Sequence, residues 1–246
     1  MNYAADLRVL YEDNHLIAVN KGAGELVQGD NSGDLPLAER VKIYLKEKYG
    51  KKGNVFLGVV HRLDRPTSGV LLFARTGKAL ARLNRLFREN RVRKLYWALV
   101  REKPPRDFDT LVHYLLRNRE QNRSYASARP VPGGKEARLS YRWRLSLDRY
   151  QLLEIELESG RHHQIRAQLA LIGCHIKGDL KYGFPRSNPN GGIHLHAREI
   201  SLVHPVSQVA VRIVADPPAD PLWDAAAAAV ARLAQDGEQR YTLPGE

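Results

Sequence analysis

The chain has 246 residues, 43% of them hydrophobic, enough apolar mass for one large core or two small ones. Its 39 lysines and arginines exceed its 27 acidic residues, a formal net charge of +12, so the expected partner is an acidic polymer, nucleic acid first. One cysteine, Cys174, excludes an intrachain disulfide and a thiolate metal cluster, and neither a secretory leader nor a bilayer-spanning run is legible, which fits a reducing, cytoplasmic setting.

Leu7–Leu10 and Leu16–Val19, separated by Glu12-Asp13-Asn14, predict an opening strand pair. Lys21-Gly22-Ala23-Gly24 follows as a turn. Leu37, Val41, Tyr44 and Leu45 recur at helical spacing, which predicts a helix over 35–49, capped by Ser32 or Asp34 and stopped by Gly50. Short, β-branched apolar runs at 55–60 and 70–73 predict two buried strands. Between them stands His61-Arg62-Leu63-Asp64-Arg65-Pro66-Thr67-Ser68-Gly69, where Pro66 and Gly69 mark a tight turn. Residues two apart on an extended chain share a face, so Arg62 and Asp64 are expected on one side. Neighbouring guanidinium groups favour a charged carboxylate, which suits a nucleophile or base better than an acid. Taken alone, Arg-x-Asp-Arg reads more readily as a salt-bridged surface turn, and the rest of the stretch is what favours a site.

Thr76 caps a predicted helix over 77–89 whose apolar stripe is Leu80, Leu83, Leu86 and Phe87. Arg82, Arg85 and Arg88 recur on its polar side, either as a solvated face or as phosphate contacts. Lys94–Val100 reads as a strand with Tyr96 and Trp97 on opposite faces. A strand over 111–116 precedes a basic, Pro/Gly-rich stretch, 117–135, expected to be a long exposed loop. Its Arg117, Arg119, Arg123 and Arg129 suit an RNA-gripping arm, and simple disorder fits as well. Strict alternation over 139–147 predicts a half-buried strand, with 152–157 as its antiparallel partner. Gly160 to Arg166 opens a predicted helix that runs to about Ile172 and stops at Gly173. Arg198–Val214 reads as a hairpin turning at 204–207, 224–234 as an alanine-rich helix, and 239–246 as a frayed tail. The pairs His162/His163 and His194/His196 do not converge by spacing and lack acidic partners, so no metal site is expected.

His61 to Val70 resembles, without a gap, the active-site motif of the RluA-type pseudouridine synthases, His-Arg-Leu-Asp-Arg-x-Thr-Ser-Gly-hydrophobic. Lys94 to Ala98 resembles that family's Lys-x-Tyr-x-Ala segment, and Gly160 to Arg166 its Gly-Arg-x-His-Gln-Ile/Leu-Arg. His175 to Gly183 resembles its Pro-Ile-x-Gly-Asp-x-x-Tyr-Gly, and Leu195-His196-Ala197 its Leu-His-Ala strand. Gly22 and His175 stand where the family usually has proline. The resemblance covers roughly 7–216 and implies an α+β fold: a long, largely antiparallel mixed sheet with flanking helices and a central RNA-binding cleft. It implies one catalytic domain over 1–246, its core at 7–216, without the extra N-terminal RNA-binding domain that many members carry. The implied reaction is isomerisation of uridine to pseudouridine in a tRNA or rRNA stem-loop, by a monomer, with no metal, nucleotide or redox cofactor. Asp64 would attack the target nucleoside, Tyr96 would stack on the base, Arg166 would pair with Asp64, and Arg62 would fill the space that the flipped base leaves. His61, Arg65, Thr67, Arg161, His163, Gln164 and Lys21 complete the expected substrate side. Two rival functions are an RNA-binding protein on the same fold without catalysis and a metal-dependent hydrolase of nucleic acid.

Overall fold

A computed structural model describes residues 7–29 and 33–239. Of the sequence expectations, the Ser32 cap and nearly all of the C-terminal tail lie outside that range. The chain opens with β1 (Val9–Glu12) and β2 (Leu16–Lys21). Asp13 closes their turn by accepting from the backbone N–H of His15 and of Leu16, both at 2.7 Å. Then come α1 (Leu37–Lys48), β3 (Gly58–Val59), β4 (Ser68–Ala74), α2 (Gly77–Arg88) and β5 (Arg93–Val100). The second half runs through β6 (Phe108–Asn118), β7 (Arg123–Ser127), β8 (Lys135–Ser146), β9 (Gln151–Leu157) and α3 (Gln164–Leu171). A short 3-10 turn (Leu180–Tyr182), β10 (Leu195–Val203), β11 (Ala210–Val214) and α4 (Pro221–Gln239) complete it.

The strands form one sheet in the order β1-β2-β4-β10-β5-β9-β8-β6-β7, with β11 paired to β10 and β3 to β4. All pairings are antiparallel except β4 with β10, whose parallel register is only His196 opposite Ser68 and Ala197 opposite Gly69. Alternate residues feed opposite faces. Tyr96, Ala98 and Val100 join a core with Leu37, Val41 and Leu45 of α1 and with Ile165 and Leu169 of α3. Trp97 and Leu99 face the other way, against Trp223 and Ala226 of α4. The stripe of α2, with Leu83 and Leu86 buried, covers Val70 and Leu72 on that same reverse side.

Three local expectations change. The 55–60 run contributes only the two residues of β3, because β4 offers one edge to two partners: β10 takes Ser68 and Gly69, and β3 takes Phe73 and Ala74. The 117–135 stretch is not one long loop; β6 runs on to Asn118 and β7 pairs back along it from Asn118↔Arg123 to Tyr114↔Ser127, leaving loop only at 119–122 and 128–134. β7 shows no apolar alternation, since its inward residue is Ser124, held by the hydroxyl of Tyr182 and by His162. Finally, α1 has Pro36 at its N-cap without a side-chain cap, and Asp34 pairs with Arg65 instead.

Gly69 fixes how closely β4 and β10 approach. It sits at φ +118°, and a Cβ there would lie 2.3 Å from the carbonyl oxygen of Ala197. Gly69→Ala is therefore expected to destabilise the protein by at least about 2 kcal/mol, read from urea unfolding at constant slope. A loss under about 0.5 kcal/mol would show that the two strands separate freely there.

Candidate active site

Where β4 and β10 part, a cleft of about 550 Å³ opens on the Tyr96 face of the sheet. Its walls are the 60–67 loop, the end of α2, the start of β5 and the 160–166 turn. Arg62, Arg88, Lys94, Arg117, Arg161 and Arg166 line it, and Asp64 is the one carboxylate among its described lining residues. Such a concentration of cations around one acid suits a polyanion that brings a single reacting centre.

The loop that carries Asp64 is held from below. Leu63 is buried in the core, and the backbone N–H of Thr67 donates to the Asp64 carbonyl at 3.0 Å. Lys21 is fully buried, and its Nζ donates to the carbonyls of Gly22, Arg65 and Thr67 at 2.9, 3.0 and 2.6 Å. Burial pulls this lysine down to about 8. Asp64 itself keeps 26% of its side chain accessible, enough for a ligand to reach it.

Arg166 meets Asp64 from the first turn of α3, its Nη1 donating to Oδ2 at 3.2 Å. The guanidinium has a second, stronger hold. Its Nε and Nη2 form a bidentate pair with Asp179 at 2.7 and 2.8 Å, with Asp179 only 1% exposed. Burial works against this cation, but the bonds and charge of Asp179, and then of Asp64, offset it and raise Arg166 above the ordinary arginine value. The Tyr182 ring lies 5.0 Å beneath the guanidinium carbon.

His163 stands beside this pair, Nε2 3.7 Å from Asp64 Oδ2 and Nδ1 3.0 Å from the Tyr182 hydroxyl. Burial, aided by the charge of Arg166, pushes its imidazole down to about 2, so it is neutral at physiological pH. Its backbone is left-handed (φ 53°), which delays α3 to Gln164 instead of opening it at Gly160. Gln164 serves that same turn: its Oε1 accepts from Ser159 Oγ at 2.8 Å and from the Arg161 N–H at 3.0 Å, and its Nε2 donates to the Arg138 carbonyl at 3.1 Å.

The structure brings Asp64, Tyr96, Arg166, Arg62, His61, Thr67, Arg161, His163 and Gln164 to one cleft. Tyr96 is buried to 7%, and burial, then the charge of Asp64, holds its hydroxyl above the ordinary tyrosine value. Thr67 Oγ1 is buried without a hydrogen-bond partner among the described residues. Lys21 and Arg65 do not belong with them. Lys21 is a buried clamp, and Arg65 turns outward to Asp34 at 2.5 Å and to the Gly24 carbonyl at 3.0 Å. His61 lines the cleft, but its Nε2 accepts the backbone N–H of Leu72 at 3.0 Å, filling the stretch of β4 edge between β10 and β3. It stacks on Phe87 at 5.0 Å, and burial drops it to about 3. A second depression of about 650 Å³ lies beside β10 and β11, but its Glu156 and Glu158 are paired to Arg93 and Arg138.

Comparison with known proteins follows the same lines. Residues 15–171, which include Asp64, Tyr96 and Arg166, match the family described as RNA pseudouridylate synthase. The chain belongs to this family. An uncharacterized RNA pseudouridine synthase of Synechocystis is 35% identical over 217 residues, 87% of this chain and 66% of its own. The ribosomal large subunit pseudouridine synthase D of Zymomonas mobilis is 31% identical, covering 87% and 70%. The tRNA pseudouridine synthase C of Salmonella typhimurium is 34% identical, covering 81% of each chain. The human RNA pseudouridylate synthase domain containing 4 shares the fold at a TM-score of 0.72 and 24% identity, covering 86% and 88%. The chain spans from about half to about two thirds of the length of the first curated relatives it matches.

The residue given no role at sequence level is Asp179. A signal was present: it is the lone acid between Ser159 and Arg198, in a basic stretch. Asp179→Asn keeps the volume but leaves a buried guanidinium half paired, and is expected to cost about 3 kcal/mol in chemical denaturation. Unchanged stability would mean that Asp64 alone suffices to hold Arg166.

Buried histidines held neutral set a pH dependence, His61 and His163 in the cleft and His196 beneath it. They bind no proton in the folded protein near neutrality, whereas in the unfolded chain they protonate near about 6.5. The unfolded chain thus binds more protons below that value, and stability falls as pH drops. The urea midpoint is expected to decline between about pH 6.5 and 5, above the carboxylate range, and His61→Gln to flatten part of the decline. A midpoint flat over that window would mean that these imidazoles stay solvated.

Proposed function

We propose that this protein isomerises uridine to pseudouridine in structured RNA. The observation that carries the reading is Asp64, the sole carboxylate lining the cation-rich cleft, with its Oδ2 tethered to a guanidinium that Asp179 locks in place. Asp64 attacks the target nucleoside, and Arg166 positions its carboxylate by the hydrogen bond to Oδ2. The N1–C1′ bond breaks as an Asp64 oxygen bonds C1′, the uracil turns in the cleft, and a C5–C1′ bond forms as the Asp64–C1′ bond breaks. The proton lost from C5 is balanced by one gained at N1. Nothing is oxidised or reduced, so the reading needs no redox cofactor.

To reach Asp64 the base must leave its helix, a cost of a few kcal/mol, about 2–4, in stacking and pairing. Arg62, exposed at the cleft mouth, fills the vacated space, and Tyr96 offers its ring as a new stacking partner. Thr67 Oγ1 supplies an unengaged polar atom to the ligand, and Arg88, Arg117 and Arg161 take backbone phosphates. The proposed substrate is a stem-loop of ribosomal RNA or tRNA and the proposed compartment the cytoplasm, a reading supported by relatives named for each RNA class. Every group named comes from one chain, so the chemistry needs no second copy.

The test uses total RNA tritiated at uridine C5, from cells lacking the gene. Wild-type protein is expected to release tritium to water; Asp64→Asn is expected to bind the RNA within about threefold of wild type while release falls at least about 10⁴-fold. Release by Asp64→Asn at the wild-type rate would leave an RNA-binding fold that does not use this carboxylate for chemistry.

A further inference from the structure

Lys94 lies two residues before Tyr96 on β5, and both side chains line the cleft. Two features set it apart from the arginines around it. It is buried to 9% exposure, whereas Arg62, Arg88, Arg117 and Arg161 are exposed. And its ammonium makes no hydrogen bond or ion pair among the described residues, so that burial, with no charged partner behind it, lowers its proton affinity. His61, which also lines the cleft and feels the charge of Lys94, is neutral and has its Nε2 engaged with the Leu72 N–H. A buried cation without a partner costs stability that packing does not return.

Building on the isomerase reading above, we infer that Lys94 is a catalytic residue that donates a hydrogen bond to a carbonyl oxygen of the target uracil and stabilises the negative charge the base acquires when it separates from the ribose. Side chains two apart on a strand stand about 7 Å from each other on one face. A pyrimidine lying over Tyr96 therefore presents its edge to the Lys94 ammonium. Breaking N1–C1′ leaves the bonding pair on the uracil, where it delocalises onto O2 and O4. The ammonium faces that charge in a site that excludes much of the water, and it keeps its proton throughout. The charge exists during bond cleavage and turning and is absent from bound uridine, so the interaction favours the transition state over the ground state. A phosphate is the poorer partner, because its charge is constant and the exposed arginines at the rim already face the backbone.

The test measures tritium release from the C5-labelled total RNA with enzyme in excess, separating the plateau rate from the half-saturating enzyme concentration. Lys94→Met is expected to lower the plateau about 100-fold or more, to leave half-saturation within about threefold, and to raise the thermal midpoint. Lys94→Arg, which keeps the cation, is expected to recover at least about tenfold over Lys94→Met. An unchanged plateau with weakened half-saturation would overturn the inference in favour of a phosphate contact. A lowered thermal midpoint without rescue by arginine would overturn it in favour of a structural lysine. If wild-type protein releases no tritium, the isomerase reading fails and takes Lys94 with it; if wild type is active and Lys94→Met equals it, only the Lys94 inference falls.

Discussion

One guanidinium shared between two carboxylates governs this site. Arg166 and Asp64 are 102 residues apart in sequence, and only folding of the whole sheet brings them together. Left to itself, a buried arginine facing a half-exposed aspartate would choose among several rotamers. The bidentate grip of Asp179 removes that freedom, because a planar fork matched to a carboxylate has one good geometry. Asp64 then receives a single hydrogen bond on Oδ2, and its other oxygen takes none among the described residues. The two carboxylates thus differ in place: the buried Asp179 holds the cation, and the accessible Asp64 faces the cleft.

The cleft owes its existence to an interrupted strand edge. β4 and β10 touch over two residue pairs and then part, which exposes the loop before β4. Close contact requires glycine at position 69, and the parting leaves a backbone N–H of β4 without a strand partner. His61 supplies that partner through a neutral imidazole. Lys21 performs the matching task on the carbonyl side by collecting three loop oxygens. Two basic side chains that read as ligands in the sequence are therefore parts of the frame that keeps Asp64 still.

Charge is sorted by depth. At the rim, arginines remain solvated and lose little by waiting for an anion. Deeper in, each cation with a structural duty has a defined partner: Arg166 has its carboxylates and Lys21 its carbonyls. Lys94 departs from that pattern, and the departure is informative because burial makes an unpaired charge expensive.

The sequence by itself determined most of the element types, the alternation of faces along the central strands, the cap at Thr76, which accepts from Ala79 N–H at 3.2 Å, and most of the residues that meet in the cleft. These follow from local periodicity and from a contiguous motif, and both are written in neighbouring residues. Tertiary structure decided the rest. The 117–135 stretch became a hairpin because Tyr182 and His162, from distant parts of the chain, bond to Ser124, and no apolar alternation in β7 announces that. Lys21 and Arg65 stand outside the cleft lining because backbone atoms and Asp34, close only after folding, satisfy them first, while His61 lines the cleft with its Nε2 already engaged by the Leu72 N–H. Asp179 entered the site for the converse reason: its partner lies on α3, across a turn whose path a linear reading cannot trace. Hydrogen-bond satisfaction of buried groups is a global condition, and one-dimensional patterns carry only its local part.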